Sequence, residues 1–287
     1  MNLRWRSFGP PAGGAAPQAA TPAGTVVYAI GDIHGCDALL RRILGGIRHD
    51  ARLRPARRRV LVVLGDYINR GAHSRAVIET LLDPDLSGFE VVALKGNNED
   101  AMLRYLDGDL AVGAHWLDYG GGTTLADYGI MACWPQQRAD GDLEVMRWKA
   151  DELADYGVGI PGLAGQDVPA LEALRHRFAA ALAGPHMDFL RGLRVSHREG
   201  GYHFVHAGIV PGLPLHEQAA RDCMWIRRRF LDSDLDHGAI VVHGHSISAE
   251  PELRPNRIGI DTGAYKSGVL TCLVLDGEQR ELLQTGL

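Results

Sequence analysis

The chain has 287 residues, 46% of them hydrophobic and 23% charged, enough to bury a sizeable core in one or two domains. A formal net charge of -5 gives no general support for nucleic-acid binding, and no apolar run reaches the roughly 18 residues that a membrane span needs. Cys36, Cys133, Cys223 and Cys272 lack any CxxC spacing and no apolar segment follows Arg4 and Arg6, so a disulfide framework, a thiolate zinc site and a secretory signal are not expected; the chain reads as soluble and cytoplasmic.

Residues 1–24 are rich in Ala, Gly and Pro and read as a flexible tail. From 25 to 287 a single domain is expected. It opens on the apolar run Thr25–Ile30, and further runs occur at 60–64, 90–94, 202–206, 239–243, 257–260 and 269–275. Their length, β-branched content and glycine boundaries favour strands. Helical patterns at about 37–50 and 73–83 separate the first three, giving β-α-β-α-β and hence a parallel sheet. A helical insertion comes next at about 101–195, with its clearest helix at 171–183. The closely spaced C-terminal strands suit an antiparallel or mixed sheet.

The residues at the end of each apolar run carry the chemistry. The first run ends in Gly31-Asp32-Ile33-His34-Gly35, the second in Gly65-Asp66-Tyr67-Ile68-Asn69-Arg70-Gly71 and the third in Gly96-Asn97-Asn98-Glu99-Asp100. The fourth ends in His206-Ala207-Gly208, and the fifth leads into His243-Gly244-His245. Ligand sites of α/β sheets form at the carboxyl ends of strands, which is where these Asp, Asn and His residues fall. Taken singly, each has a plain reading: Asp32 and His34 in a turn, Asp66 as a helix cap, His206 as a satisfied polar group. Together they form a mixed oxygen and nitrogen set suited to transition-metal ions. A carboxylate such as Asp66 can bridge two ions about 3.5–4 Å apart, and a hydroxide held between them can attack phosphorus.

The ordered motifs resemble those of the PPP family of metal-dependent, calcineurin-like phosphoesterases, especially its phage and bacterial serine/threonine phosphatases and the diadenosine tetraphosphatases. The resemblance covers roughly residues 25–100 and 200–275. It implies a four-layer α/β-β/α sandwich of mixed sheets and a centre of two divalent ions, manganese first, with iron, zinc or nickel also accepted. Asp32 and His34 would hold one ion, Asp66 would bridge, and Asn97, His206 and His245 would hold the other. Arg70 would bind the substrate phosphate, as would Arg227, preferred over the adjacent Arg228 and Arg229. The implied partner is a phosphorylated protein, peptide or small phosphate ester.

Two positions depart from the family pattern. Asn69 stands where aspartate is usual and Asn98 where histidine is usual, so the Asp–His dyad that protonates a leaving alkoxide is replaced by two amides. Losing both partners keeps the local charge balanced and allows an amide-to-amide hydrogen bond, but removes the titratable proton. Three functions fit: a phosphoesterase whose leaving group needs little protonation; a phosphodiesterase or hydrolase of activated esters and anhydrides; or an intact metal site with lost or non-phosphate chemistry. Asn69 and Asn98 thus join Asp66 and Arg70 as catalytic candidates, and Asn97 joins the arginines as a phosphate contact.

Other features have simpler expectations. Gly120–Thr124 reads as a tight turn near the cleft, and Trp116, Tyr119 and Tyr128 as core. His115 and His186 read as surface residues, His243 as structural, and Asp261 as a support behind the site. Glu99 and Asp100 suit a helix N-terminus. The basic run Arg52–Arg59 reads as a solvated loop.

Overall fold

A computed structural model describes residues 3–8, 19–130 and 168–286. Eleven strands form two mixed sheets among these residues: β1 (Leu3–Phe8), β2 (Thr25–Ile30), β3 (Arg58–Val63), β4 (Phe89–Ala93), β5 (Ser196–Glu199), β6 (Tyr202–Val205), β7 (Ile240–His243), β8 (Glu252–Leu253), β9 (Arg257–Gly259), β10 (Thr271–Asp276) and β11 (Gln279–Thr285). The first sheet has the order β1-β11-β10-β2-β3-β4 and the second β5-β6-β7-β9-β8. As the β-α-β-α-β pattern predicts, β2, β3 and β4 run parallel. They are joined by α1 (Asp37–Leu53) and α2 (Ser74–Leu82).

Strand alternation explains the layering. In β2, Val26, Tyr28 and Ile30 face the helices while Val27 and Ala29 face the second sheet, so every residue of the strand is buried. A strand covered on both faces reads as a continuous apolar run, whereas one open to water alternates. Tyr202, Phe204, Ile240 and Val242 meet Val27, Ala29, Val60 and Val62 between the sheets. Helix α1 contributes Leu40, Ile43, Leu44 and Ile47, one helical face, to the outer layer of the first sheet. Val205, Val241, Cys223 and Phe230 form a smaller cluster outside the second sheet. The result is the expected four-layer α/β-β/α sandwich.

Between β4 and β5 lie α3 (Asn97–Leu106), α4 (Leu110–Trp116), α5 (Gly122–Asp127), α6 (Val168–Ala181) and α7 (Gly184–Arg191). Trp116, Leu125, Leu171 and Phe178 join the same core as α1, with Trp116 and Phe178 stacked at 5.7 Å. Residues 131–167 of the expected helical insertion, including Cys133, lie outside the described residues, as do 1–2 and 9–18 of the expected tail.

Three expectations are corrected. Residues 3–8 are not a tail: they pair along their whole length with β11, an edge position in which backbone hydrogen bonding orders a mostly exposed strand. Ala19 and Thr21 are buried as the chain approaches β2. His186 is buried, because its Nδ1 lies 2.8 Å from the Tyr128 hydroxyl, a partner that satisfies it in the core. The basic run is not a solvated loop either. Arg54 pairs with Asp50, Asp276 and Glu281, and Arg58, the first residue of β3, with Glu90 and Glu199. Only Asp50, four residues before Arg54, is a local partner; the other acids lie 32 to 227 residues away, beyond any local pattern. No helix among the described residues is long and apolar enough to cross a membrane.

Candidate metal centre

The carboxyl ends of β2, β3, β6 and β7 and the start of α3 converge on one edge of the sandwich. Backbone hydrogen bonds stitch the loops together: Ile33 and His34 donate to the Asp66 carbonyl at 3.1 and 2.8 Å, and Gly244 donates to the His206 carbonyl at 2.8 Å. Glu99, fully buried, accepts from the amides of Gly96, Asp66 and Tyr67 at 2.9–3.0 Å, which caps α3 and fixes the Asp66 loop with one carboxylate. Two glycines permit this closeness: a Cβ on Gly96 would strike the Asp66 carboxylate, and one on Gly244 the Asp32 carboxylate.

The backbone here is unusual. Six non-glycine residues among those described have positive φ, and five of them are His34 (46°), Asp66 (51°), Asn69 (70°), Arg70 (67°) and His245 (62°). Left-handed backbone costs about 1–2 kcal/mol for an ordinary L-residue, less for Asn and Asp. Such strain collects where a functional geometry is over-determined by its surroundings.

Two groups of ligand atoms result, each within 4.8 Å: Asp32, His34 and Asp66; and Asp66, His206 and His245. All five residues are buried, and Asp66 is common to both groups. His34 Nδ1 lies 2.9 Å from the Ile68 carbonyl and His206 Nδ1 3.0 Å from that of Leu64. Carbonyls only accept, so these nitrogens carry the protons and each Nε2 presents a lone pair inward. Asn97 Oδ1 faces His206 Nε2 at 3.0 Å, Asp66 Oδ2 faces His34 Nε2 at 3.4 Å, and His245 Nε2 is buried with no hydrogen-bond partner.

Charge points the same way. Burial, then Asp261 and Asp66, push the Asp32 carboxyl well above its ordinary range. Burial would raise Asp66 too, but the imidazoles of His206 and His34 and the Arg70 guanidinium outweigh it and hold the group below. Burial lowers His34 to about 4 and drives His245 well down, with Arg227 adding to the latter, so the rings are neutral near pH 7. Acceptor atoms that face one another, a buried orphan nitrogen and crowded carboxylates fit a pair of divalent cations: Asp32 and His34 would hold one, Asn97, His206 and His245 the other, with Asp66 shared. Manganese should therefore raise the melting temperature reversibly. At a free concentration about 100 times Kd the gain is about 2.7 kcal/mol. Differential scanning fluorimetry with and without chelator reads it, and an unchanged midpoint would count against the centre.

Around these ligands lie the other predicted residues. Arg70 is half-buried, its Nη1 3.2 Å from His34 Nε2 and its guanidinium 4.9 Å over the Tyr265 ring. Arg227 is half-buried and its charge reaches His206 and His245, whereas Arg228 and Arg229 are exposed. Asn69 Nδ2 donates to Asn98 Oδ1 at 2.6 Å, and Asn98 Nδ2 donates to Asp66 Oδ2 at 2.7 Å. The Thr124 hydroxyl donates to Asn69 Oδ1 at 2.9 Å and also receives the Asn69 backbone N–H at 3.0 Å. The expected turn is confined to a kink at Tyr119 and Gly120; Thr124 lies in α5 and fixes which way the amide pair points. His243 stays outside both ligand groups, packed edge-on against Phe230 at 5.2 Å. Asp261 lies buried behind Asp32, its carboxyl pushed up to about 6 by burial and Asp66.

Sequence reasoning misses the roles of Thr124, Tyr265 and Ser74, whose hydroxyl also accepts the Asn69 N–H at 3.2 Å. Thr124 sits 55 residues from Asn69, so only folding reveals the pair.

A family model described as calcineurin-like phosphoesterase matches residues 25–252. The chain is 29% identical over 272 residues to a symmetrical bis(5'-nucleosyl)-tetraphosphatase of Methylococcus capsulatus, covering 88% of this chain and 92% of that protein. It is 27% identical over 251 residues to an asymmetrical bis(5'-nucleosyl)-tetraphosphatase of Anoxybacillus flavithermus, covering 85% and 88%. Among solved structures, a putative diadenosine tetraphosphatase superposes with TM-score 0.52 at 17% identity, over 89% of this chain and 93% of that one. A cold-active protein-tyrosine phosphatase of a psychrophilic Shewanella superposes with TM-score 0.50 at 16% identity, over 93% and 84%. At these identities the superpositions speak to fold alone.

Proposed function

We propose, from the premise that this chain belongs to the calcineurin-like phosphoesterase family, that it is a two-metal hydrolase directed at phosphoanhydrides of the dinucleoside polyphosphate kind. The observation that carries this reading is the Asn69–Asn98 amide pair hydrogen-bonded to Asp66 where a proton donor for the leaving group is expected.

When bound, the cations supply Lewis acidity toward the phosphoryl oxygens and lower the pKa of a water nucleophile. The chain's own residues do the rest. Asp66 holds its charge at the centre, with the Arg70 guanidinium and the Asn98 backbone N–H favouring the carboxylate. Arg70, beside His34, and Arg227, whose charge reaches His206 and His245, would offer planar forks to phosphate oxygens. Asn98 Nδ2–H donates to Asp66 Oδ2, and an amide can donate a hydrogen bond but releases no proton near pH 7.

That limitation selects the leaving group. An alkoxide resembles hydroxide, whose conjugate acid has a pKa of about 15.7, and it departs poorly without a proton. A phosphate monoester takes its second proton only near pH 6, so it leaves as an anion at neutral pH without a general acid. The two bis(5'-nucleosyl)-tetraphosphatase relatives act, by their names, on substrates with such leaving groups.

The test compares kcat/KM for diadenosine tetraphosphate, bis-p-nitrophenyl phosphate, p-nitrophenyl phosphate and a phosphoserine peptide in manganese. The expected order places the anhydride first and the peptide last. A peptide turned over as fast as the anhydride would overturn the reading, and a diester preferred to both would favour a phosphodiesterase. Chromatography of the nucleotide products then separates symmetrical from asymmetrical cleavage.

A further inference from the structure

Tyr265 stands beside the metal centre on a turn that follows β9 and is tied down by side chains. It lies in the one-turn helix Ala264–Ser267. Asp261 accepts the Gly263 N–H at 2.9 Å, and the Ser267 hydroxyl donates to the Thr262 carbonyl at 2.8 Å. The Thr262 hydroxyl donates to the Val269 carbonyl at 2.8 Å and so closes the turn. The Tyr265 side chain is half-buried and meets His34 edge-on, with ring centroids 5.3 Å apart. Its hydroxyl makes no hydrogen bond among the described residues, so the ring is the part engaged.

The other partner of that ring is the Arg70 guanidinium, 4.9 Å over its centroid. Among the described residues Arg70 pairs with no carboxylate; its side chain's one hydrogen-bonding contact is Nη1 to His34 Nε2 at 3.2 Å. That nitrogen has a single lone pair, which a metal ion held there would claim, leaving the ring as the remaining hold on the guanidinium. The stem is confined as well: a Cβ on Gly120 would lie 3.3 Å from Arg70 Cγ, so the chain passes close to that kink. A carboxylate could also hold Arg70, but it would neutralise the charge and occupy the N–H groups that a phosphate needs. A ring face attracts the cation through its quadrupole and leaves the in-plane N–H groups open.

We propose that Tyr265 is a positioning residue, whose ring face holds the Arg70 guanidinium in place, with its charge unneutralised, to receive a phosphoryl group. The proposal rests on the hydrolytic reading above only in taking Arg70 as a phosphate contact. Lys266 Nζ lies 5.7 Å from the same centroid, but that side chain is exposed and its ammonium lacks the planar fork.

The test measures binding of inorganic phosphate to the manganese-loaded full chain by calorimetry, which needs no turnover. Arg70→Gln keeps the stem, removes the guanidinium and should weaken phosphate about tenfold or more. Tyr265→Leu should weaken it about 3- to 30-fold, the range of a cation–π contact, whereas Tyr265→Phe keeps the ring and should stay within about twofold. In the Arg70→Gln background Tyr265→Leu should add almost nothing, a coupling that a general loss of packing does not produce. Manganese uptake should be the same in all variants, and kcat/KM for diadenosine tetraphosphate should fall in the order of the phosphate affinities. Unchanged affinity in Tyr265→Leu, a loss that persists without the guanidinium, or an equal loss in Tyr265→Phe would overturn the proposal. So would reduced manganese uptake in Tyr265→Leu, which would place the effect of the ring on His34. Phosphate binding that is absent, or that Arg70→Gln leaves intact, would remove the phosphate role of Arg70 as well. An unaltered chain that shows the coupling but hydrolyses no ester or anhydride would overturn the hydrolytic reading and leave this one standing.

Discussion

Asp66→Asn should lower turnover of every substrate by about 10³-fold or more, the several kcal/mol of charge stabilisation that a metal pair supplies. Asp66 is the one residue common to both candidate ligand groups, so the amide should weaken both sites at once. Asparagine is the informative replacement because it tolerates the left-handed backbone that Asp66 adopts at φ 51°. Alanine there would add backbone strain and blur the comparison. The variant should keep its circular dichroism spectrum, bind less than two equivalents of manganese by calorimetry and lose turnover. Activity within about tenfold of the unaltered chain would rule out Asp66 as the shared ligand, since such a change is worth only about 1.4 kcal/mol.

Restoring the dyad should have the second-largest effect. Asn69→Asp with Asn98→His should raise kcat/KM for a phosphoserine peptide by about 10²–10⁴-fold, the usual worth of a general acid, and change the anhydride rate only slightly. The introduced carboxylate would still accept from the Thr124 hydroxyl, which now donates to Asn69 Oδ1, and would orient the new imidazole as Asn69 Nδ2 now engages Asn98 Oδ1. Each single change should do less. Asn69→Asp alone adds an unpaired carboxylate close to the Asp66 site, and Asn98→His alone lacks its orienting partner. The comparison is a double-mutant cycle in kcat/KM for both substrates. If the double variant leaves the peptide rate unaltered, proton donation is not what the amide pair lacks.

The strands that are buried on both faces are legible in the sequence, because unbroken runs such as Thr25–Ile30 and Val60–Leu64 have few other uses in a globular chain. The candidate metal ligands are legible for a related reason: each comes within a few residues of such a run, so their convergence is a consequence of parallel packing. Strands β1, β5, β8 and β11 are not legible. Leu3–Phe8 carries two arginines and stays mostly exposed, so its order comes from pairing with β11 near the far end of the chain and not from its own pattern. Glu99 reads as a helix-opening acid, which it is, yet its carboxylate also anchors the Asp66 loop more than 30 residues away. His186, Thr124 and Arg54 escape a local reading for the same reason, since their partners are fixed by tertiary contact.

The left-handed corner at Asn69 and Arg70 acts as a filter on what the chain can place there. At φ 70°, position 69 suits glycine, asparagine and aspartate most cheaply, and a β-branched residue there would strain the loop that carries Asp66. Exchanging aspartate for asparagine at this corner is therefore nearly silent for the fold while it removes an ionisable group. Position 98 lies on α3 under no such backbone restriction, so its buried amide answers to packing, charge and hydrogen bonding. Attempts to re-tune this enzyme's proton chemistry are limited by packing at 98 and by the backbone at 69.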